Sequence, residues 1–160
     1  MEKANLTHQI IGAAYEVHNV FGFGFLEKVY ENAMIIELKE RGLYVESQSP
    51  LQVYYKDRLV GDYFADLLVE NEVIVEIKSV TAICPEHEVQ LVNYLNATGK
   101  EFGLLININF GISVEVKRNI EHIKPKDSLL LQNPQYTANR YTANRYTVNR
   151  YTVNRYTVNR

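Results

Sequence analysis

Two carboxylates and a lysine occupy two strand-like runs near the middle of the chain. The runs are 64–70 and 73–78, and the three residues are Asp66, Glu76 and Lys78. Because the runs are rich in Val, Ile and Leu and only a short polar break separates them, they are predicted to pair as an antiparallel hairpin. If the two acids face each other, the chemistry open to them is the binding of a divalent cation through oxygen ligands, which suits Mg²⁺ or Mn²⁺.

The register of this hairpin decides whether the acids meet, because a slip of one residue moves every side chain to the opposite face. A two-residue loop mixes charged and apolar side chains on both faces. A three-residue loop at 70–72, with Asn71 in the left-handed conformation, gives one wholly apolar face. The predicted pairs on that face are Val69–Val73, Leu67–Val75 and Ala65–Ile77. The predicted pairs on the other face are Leu68–Ile74, Asp66–Glu76 and Phe64–Lys78. We therefore predict the three-residue loop.

This register places the Cβ atoms of Asp66 and Glu76 about 5 Å apart. Like charges at that separation destabilise a sheet and raise each other's pKa unless a positive group lies between them. Lys78, two residues further on the same face, supplies one positive charge, and a divalent ion would complete the neutralisation. A solvated charge cluster on an exposed sheet face accounts for the same pattern, and the hairpin alone does not decide between the two interpretations.

The remaining sequence predicts the elements that must hold the hairpin. Apolar residues recur at helical spacing in the first part of the chain, and Val-, Tyr- and Ile-rich runs follow. The predicted helices are 5–21, 26–41 (ended by Gly42) and 86–98 (Pro85 in its first turn, Gly99 at its end), and the predicted strands are 51–56, 59–70, 73–79, 103–108 and 112–117. The order α-α-β-β-β-α-β-β predicts an α/β (α+β) fold with helices packed on a mixed sheet.

The third predicted helix carries a polar stripe. His87, Gln90 and Tyr94 are spaced i, i+3 and i+7, so their side chains share one face. Imidazole, amide and phenol groups on one face are suited to gripping the phosphate or the base edge of a nucleotide. An ordinary solvated helix face is the alternative interpretation.

Three short motifs together resemble a known superfamily. Asp66 followed by Glu76-Ile77-Lys78 resembles the D…E-x-K signature of the PD-(D/E)XK nucleases. Residues 24–30 spell G-x-x-E-x-x-Y, the mark of a prokaryotic group named the GxxExxY proteins, and residues 90–94 spell the Q-x-x-x-Y element of RecB-like exonucleases. Each motif alone is weak, but their order and spacing over residues 6–119 are specific. Ala65 replaces the Pro of the superfamily name, a Pro that is often missing.

The resemblance implies a restriction-endonuclease-like core and a set of metal ligands. Asp66 and Glu76 would bind the metal, and Lys78 would orient the attacking water or stabilise the transition state. Glu27 resembles the additional helix carboxylate of the superfamily, a ligand directly or through water. RecB-type relatives also place a metal-binding histidine upstream of the hairpin. His18 is the matching candidate here, with a histidine packed near the core as the alternative.

The resemblance also implies a substrate-binding set. Gln90 and Tyr94 would position the DNA strand, with His87 on the same helix face. Tyr30 lies one turn after Glu27, where it would support that carboxylate beside the substrate. These four residues, Gln90, Tyr94, His87 and Tyr30, are the predicted substrate-binding residues.

The predicted activity is that of a Mg²⁺/Mn²⁺-dependent deoxyribonuclease whose catalytic residues are Asp66, Glu76, Lys78 and Glu27. It is predicted to act on DNA ends or single strands, because nothing in the sequence resembles a recognition domain. One alternative is a non-catalytic nucleic-acid-binding or regulatory module with the nuclease-like fold, and another is a metal phosphoesterase acting on nucleotides. No G-x-x-x-x-G-K-[ST] occurs, which excludes NTP hydrolysis through a P-loop.

The charge is distributed unevenly along the 160 residues. The formal net charge of −2 combines −7 in residues 1–135 with +5 in residues 136–160. The latter are five tandem pentads, YTANR twice and YTVNR three times, whose period matches neither a helix nor a strand. We predict a nuclease-like domain at 1–127, a linker at 128–135 and a disordered pentad segment at 136–160. A nucleic-acid tether, with stacking Tyr and phosphate-binding Arg, is the alternative for the pentads.

The single cysteine, Cys84, excludes an internal disulfide, a four-thiolate zinc site and a four-thiolate iron–sulfur cluster. The longest uncharged run, 102–114, is shorter than the roughly 20 apolar residues of a membrane helix. The first residues lack the features of a signal peptide. The sequence therefore predicts a cytoplasmic protein with no membrane partner.

Overall fold

The computed structural model describes residues 3–110 and 113–119, and it contains three helices and five strands in those ranges. In chain order they are α1 (Lys3–Phe21), α2 (Glu27–Glu40), β1 (Val45–Tyr55), β2 (Arg58–Val69), β3 (Val73–Lys78), α3 (Pro85–Thr98), β4 (Phe102–Phe110) and β5 (Ser113–Asn119). This order confirms the predicted α-α-β-β-β-α-β-β succession. The linker and the pentads predicted at 128–160 lie outside the described residues.

The strands form one mixed sheet in the order β1-β2-β3-β4-β5. β3 and β4 are parallel, with α3 as the crossover between them, and the other neighbouring pairs are antiparallel. β1 begins at Val45, six residues before the predicted start, and therefore includes Pro50. Proline lacks a backbone donor, and its position on an outer strand of the sheet explains why the strand tolerates it.

Apolar side chains fill both sides of the sheet. On one side, α1 and α2 pack against it, with buried residues that include Ile10, Tyr30, Met34, Leu67, Val75, Ile77 and Ile106. On the other side, α3 packs through Leu91, Tyr94 and Leu95 against residues that include Leu68, Ile74 and Leu105. β3 lies between the two layers, so any polar side chain on it is removed from water.

The α2 helix ends in a Schellman motif, as the glycine predicted. Gly42 has φ 78°, and its N–H donates to the carbonyl of Lys39. The N–H of Leu43 donates to the carbonyl of Leu38. These bonds satisfy two of the free carbonyls at the end of the helix and turn the chain into β1.

The β2–β3 hairpin has the predicted loop and the predicted register near it. Its pairs are Val69–Val73, Leu68–Ile74 and Leu67–Val75. Asn71 has the expected left-handed conformation, with φ 53°, and Glu70 shares it, with φ 52°. A three-residue loop at 70–72 is therefore confirmed.

The predicted pairing is wrong beyond Leu67–Val75, where the ladder of β2 with β3 ends. The ladder does not include the three further pairs that were predicted, Ala65–Ile77, Asp66–Glu76 and Phe64–Lys78. Ala65 packs with Leu68 and Ile74 on the α3 side, whereas Ile77 packs on the α1 and α2 side. The physical reason is that the side-chain carboxylates of Asp66 and Glu76 accept hydrogen bonds from backbone N–H groups at this point of the sheet. These N–H groups are then not available for the ladder between β2 and β3.

No helix in the described ranges is long and apolar enough to span a membrane.

Candidate metal-dependent active site

Asp66 and Glu76 are held together by reciprocal hydrogen bonds to the backbone. The backbone N–H of Ile77 donates to Oδ2 of Asp66 over 2.8 Å. The backbone N–H of Asp66 donates to Oε1 of Glu76 over 3.3 Å. Each carboxylate therefore replaces a strand carbonyl as acceptor, which fixes both acids where β2 and β3 separate.

Lys78 completes the predicted trio. Its Nζ lies 3.7 Å from Oε2 of Glu76, and its side chain is 12% exposed. A lysine so little exposed keeps its ammonium group beside the acids instead of extending it into solvent. The structure thus brings together the three residues of the D…E-x-K motif.

Burial dominates the protonation of both acids. It raises the pKa of Glu76 to about 8, with the charge of Asp66 as the second cause and Lys78 acting in the opposite direction. The pKa of Asp66 is also raised, mainly by burial, although the Ile77 N–H and the Lys78 ammonium oppose the shift. Burial therefore disfavours two ionised carboxylates at this position, and the charge of Lys78 does not cancel that effect.

Glu27 begins α2 and contributes to the same field. Its negative charge raises the pKa of both Asp66 and Glu76. Its position is fixed by the preceding loop, because the carbonyl of Phe25 accepts a 2.7 Å hydrogen bond from Oγ of Ser79. Ser79 directly follows Lys78, so this bond ties the start of α2 to the end of β3.

A fourth acid, Glu31, was not among the predicted residues. It is 4% exposed, and its charge contributes to the raised pKa of Asp66. Its Oε1 accepts hydrogen bonds from Nζ of Lys28 over 2.6 Å and from Nε2 of Gln48 over 3.1 Å. The i, i+4 spacing from Glu27 is the sequence signal that places both acids on one helix face.

Gln48 reaches Glu31 from a strained point of β1. Its φ is 51°, a left-handed value that a glutamine rarely adopts inside a strand. It lies between the pairs Ser47–Leu67 and Ser49–Ala65, and thus beside Asp66 on the neighbouring strand. Strained backbone of this kind often marks a functional site, which agrees with the acids around it.

Tyr30, a predicted substrate-binding residue, faces the loop before α2 and not an open surface. It is completely buried, and its hydroxyl donates to the carbonyl of Gly22 over 2.9 Å and accepts from the N–H of Phe25 over 3.3 Å. Both positive-φ glycines of this turn, Gly22 and Gly24, lie in the loop that it braces. Tyr30 is therefore a positioning residue that holds the loop before Glu27.

The polar stripe on α3 is only partly assembled. Nε2 of Gln90 donates to the hydroxyl of Tyr94 over 2.7 Å, so these two side chains form one unit. His87 instead caps the helix, because its Nδ1 accepts from the N–H of Cys84 over 3.3 Å. It is not among the residues that line the groove beside Gln90 and Tyr94, and its part in substrate binding stays a prediction.

His18 lies at the end of α1, 8% exposed. Its Nδ1 is 2.8 Å from the carbonyl oxygen of Ile108, which favours the tautomer with the proton on Nδ1. Nε2 then carries the free lone pair, the arrangement that metal-binding histidines commonly have. Its role as a ligand stays a prediction.

The donor set fits a hard divalent cation that keeps several waters. In the part of the chain that the structure describes, no three His, Cys, Asp or Glu side chains converge as a complete ligand set, so Glu27 and His18 do not join the acid pair in one cluster. Asp66 and Glu76 nevertheless offer two carboxylates whose ionised forms a divalent cation would stabilise. Because Mg²⁺ is usually held by one or two carboxylates together with water and substrate phosphates, two acids are enough.

The comparison with protein families agrees with this geometry. The model of the PD-(D/E)XK nuclease superfamily matches residues 4–119, which include every element described above except the first residue of α1. The chain therefore belongs to the PD-(D/E)XK nuclease superfamily, whose members are typically nucleases and generally use divalent metal ions. No curated protein and no solved structure matches the chain.

Proposed function

We propose that this protein is a divalent-cation-dependent deoxyribonuclease that acts on DNA ends or single strands. The observation that carries the proposal is the acid pair, Glu76 buried and Asp66 half-buried, with Lys78 at 3.7 Å from Glu76. The motifs that resemble the GxxExxY proteins and the RecB-like exonucleases favour the same activity. The superfamily as a whole implies a nucleic-acid substrate.

Asp66 and Glu76 would hold the cation, which when bound lowers the pKa of a water and offsets the charge of the scissile phosphate. The backbone donors of Ile77 and Asp66 orient the two carboxylates, so little reorganisation is needed on binding. Lys78 presents a fixed ammonium group where negative charge grows on the phosphate oxygens. Its low exposure strengthens that interaction, because little water screens it.

The charge of the protein favours a substrate that exposes few phosphates at once. The first 135 residues carry a formal charge of −7, and a long duplex contact needs many Lys and Arg side chains. A strand end or a single strand can reach the acid pair with fewer phosphate contacts. Gln90 and Tyr94 would position that strand.

The test is cleavage of end-labelled single-stranded DNA, duplex DNA and RNA by the full chain in Mg²⁺, Mn²⁺ or EDTA. Lys78→Met removes the ammonium and keeps an apolar side chain, and Lys39→Met, on the exposed surface of α2, is the matched control. We expect cation-dependent DNA cleavage by the parent and by Lys39→Met, and a loss of about 10²-fold or more in Lys78→Met.

Equal rates in the parent and in Lys78→Met would reject the catalytic proposal, because the activity would then come from elsewhere. Binding of oligonucleotides without cleavage in any cation would support the non-catalytic module instead. Hydrolysis of RNA alone would retain the mechanism and reject DNA as the substrate.

A further inference from the structure

A groove of about 560 Å³ lies between the β1–β2 hairpin and α3. We call it the hairpin groove. Its walls include Val53, Val60 and Val89, and its polar groups include Gln90 and Asn93. Mostly apolar walls with a few polar groups are typical of small-molecule sites, and the volume is in their usual range.

The β1–β2 hairpin forms one wall of the groove because it extends beyond the point where β2 stops pairing with β3. β2 pairs with β3 only at 67–69, whereas it pairs with β1 along nearly its whole length. The ring of Tyr63 lies close to the backbone of Gly61. A Cβ at position 61 would lie 2.7 Å from this ring, so a glycine is needed there. The ring of Tyr63, 48% exposed, lies 6.0 Å from that of Tyr94. The groove thus has an accessible aromatic surface.

Asn93 provides an unused acceptor in this groove. Its Oδ1 is the one buried side-chain nitrogen or oxygen, among the described residues, that has no hydrogen-bond partner. A buried acceptor without a partner destabilises the fold, and a ligand donor that satisfied it would remove that cost. Asn93 lines the groove and the terminal torsion of asparagine is soft, so binding of a ligand there requires the amide to rotate until this oxygen faces it. The matching ligand group is an N–H donor.

The hairpin groove adjoins the acid pair through Tyr94. Tyr94 lines the groove and packs in one buried cluster with Ala65, the residue directly before Asp66. The hydroxyl of Tyr94 also accepts the hydrogen bond from Gln90. The groove therefore lies next to the segment of β2 that carries Asp66.

The chemistry of the lining selects the kind of ligand. Glu86 contributes a carboxylate to the lining, which disfavours a phosphate in the groove. A flat, neutral group with an N–H donor fits the valines, the ring of Tyr63 and the Asn93 oxygen together. Nucleobases with an exocyclic amino group have these properties, and aromatic side chains stack well on them.

We propose that the hairpin groove is a nucleobase subsite for one unpaired base of the strand that lies at the acid pair. The base stacks on Tyr63 and donates its exocyclic amino group to Oδ1 of Asn93. The inference rests on the proposed function and adds two properties to it. The strand must be unpaired at this position, and cytosine or adenine is preferred to thymine, which presents a carbonyl oxygen at the corresponding edge.

The test measures binding of fluorescent oligonucleotides to the full chain carrying Lys78→Met, which stops turnover. The probes are oligo-dC, oligo-dT and oligo-dC with one abasic position moved stepwise along the strand. We expect oligo-dC to bind more tightly than oligo-dT. One abasic position should weaken binding by about fivefold or more, the effect of losing one stacked base.

Asn93→Ala should abolish the preference for oligo-dC, whereas Asn96→Ala on the same helix should retain it. Tyr63→Leu, with its fold checked by thermal unfolding, should make the abasic probes bind like the intact one. The abasic series needs no substitution in the groove, so it remains decisive if Asn93→Ala does not fold.

Failure of the subsite and failure of the nuclease activity give different results. If the parent cleaves DNA but neither the abasic position nor the base identity affects binding, the subsite is rejected and the nuclease proposal stands. If the parent binds oligo-dC in preference to oligo-dT through Asn93 but cleaves nothing, the subsite stands and the nuclease proposal is rejected.

Discussion

The backbone N–H of Ile77 donates to the carboxylate of Asp66, and this bond marks the point where two strands stop pairing. In a regular hairpin, a strand carbonyl would accept that N–H. Here the side chain of one acid takes its place, and the N–H of the same acid binds the side chain of Glu76. The divergence of the strands and the convergence of the two carboxylates therefore have one cause.

The first prediction concerns pH and stability in metal-free buffer. Because the pKa of Glu76 is raised from 4.5 to about 8 in the fold, the folded protein binds an additional proton between these values. The stability contributed by this proton is complete below pH 4.5 and is lost as the pH rises through about 8. The free energy of unfolding should fall with a slope of at most about 1.4 kcal/mol per pH unit from this group.

Denaturant unfolding at several pH values in EDTA measures this slope. Glu76→Gln removes the titrating group and keeps the shape, so its curve should be flatter over the same interval. Glu72→Gln, on the exposed β2–β3 loop, is the control and should keep the slope of the parent. A parent curve as flat as that of Glu76→Gln would contradict the raised pKa.

The second prediction concerns cation binding. A divalent ion binds the ionised carboxylates, so it should restore the stability that ionisation removes, and its effect should increase as the pH rises toward 8. Thermal unfolding with and without Mg²⁺ or Mn²⁺ at pH 6 and pH 8 measures the shift in Tm. The shift should be larger at pH 8 in the parent and absent in Glu76→Gln, and equal shifts in both proteins would place the bound cation elsewhere.

The third prediction concerns the acid that the sequence analysis missed. The negative charge of Glu31 raises the pKa of Asp66, and the same charge attracts a cation to the site. At a pH where Asp66 is ionised in both proteins, Glu31→Gln should therefore weaken cation binding several-fold. Glu37→Gln on the same helix is the matched control, because Glu37 pairs with Arg41 instead of contributing to the field at Asp66. The measurement is the Mn²⁺ concentration that gives half of the maximal stabilisation. Identical values for both variants would exclude an influence of Glu31 on the site.

The sequence predicted the meeting of Asp66, Glu76 and Lys78 from strand periodicity and loop length, which fix the register as far as Leu67–Val75. Beyond that pair the two acids meet through their hydrogen bonds to backbone N–H groups. The sequence did not predict that Ala65 packs on the α3 side. The regular alternation of apolar and polar residues along a strand does not reveal where a side-chain carboxylate replaces a backbone carbonyl as hydrogen-bond acceptor. The spacing of Glu31 from Glu27 was available, but its burial depends on a strand distant in sequence.

The hairpin groove could not be predicted from the sequence either. Its wall exists because β2 continues past the end of its pairing with β3. The unpaired oxygen of Asn93 becomes apparent only when every neighbouring donor has been placed. Motifs identified Gln90 and Tyr94 on that helix, whereas Asn93 is a variable position within the Q-x-x-x-Y element. Tertiary packing, and not local pattern, decides such contacts.

The fourth prediction separates positioning from chemistry in the loop before α2. Tyr30→Phe removes the hydroxyl that binds Gly22 and Phe25, leaving the Gly22 carbonyl and the Phe25 N–H with one partner fewer. We expect a loss of about 1 kcal/mol in the free energy of unfolding, the net contribution of a typical hydrogen bond. Tyr55→Phe, at an exposed tyrosine on the hairpin, is the control and should change it by less than about 0.5 kcal/mol.

Because Tyr30 is buried and acts on Glu27 only through the loop, Tyr30→Phe should reduce the maximal cleavage rate more than the affinity for an oligonucleotide. Cleavage at saturating substrate and binding in EDTA provide the two measurements. A tyrosine that touched the strand directly would give the opposite pattern, with weaker binding in EDTA. Equal stability of Tyr30→Phe and the parent would show that the hydroxyl does not brace the loop.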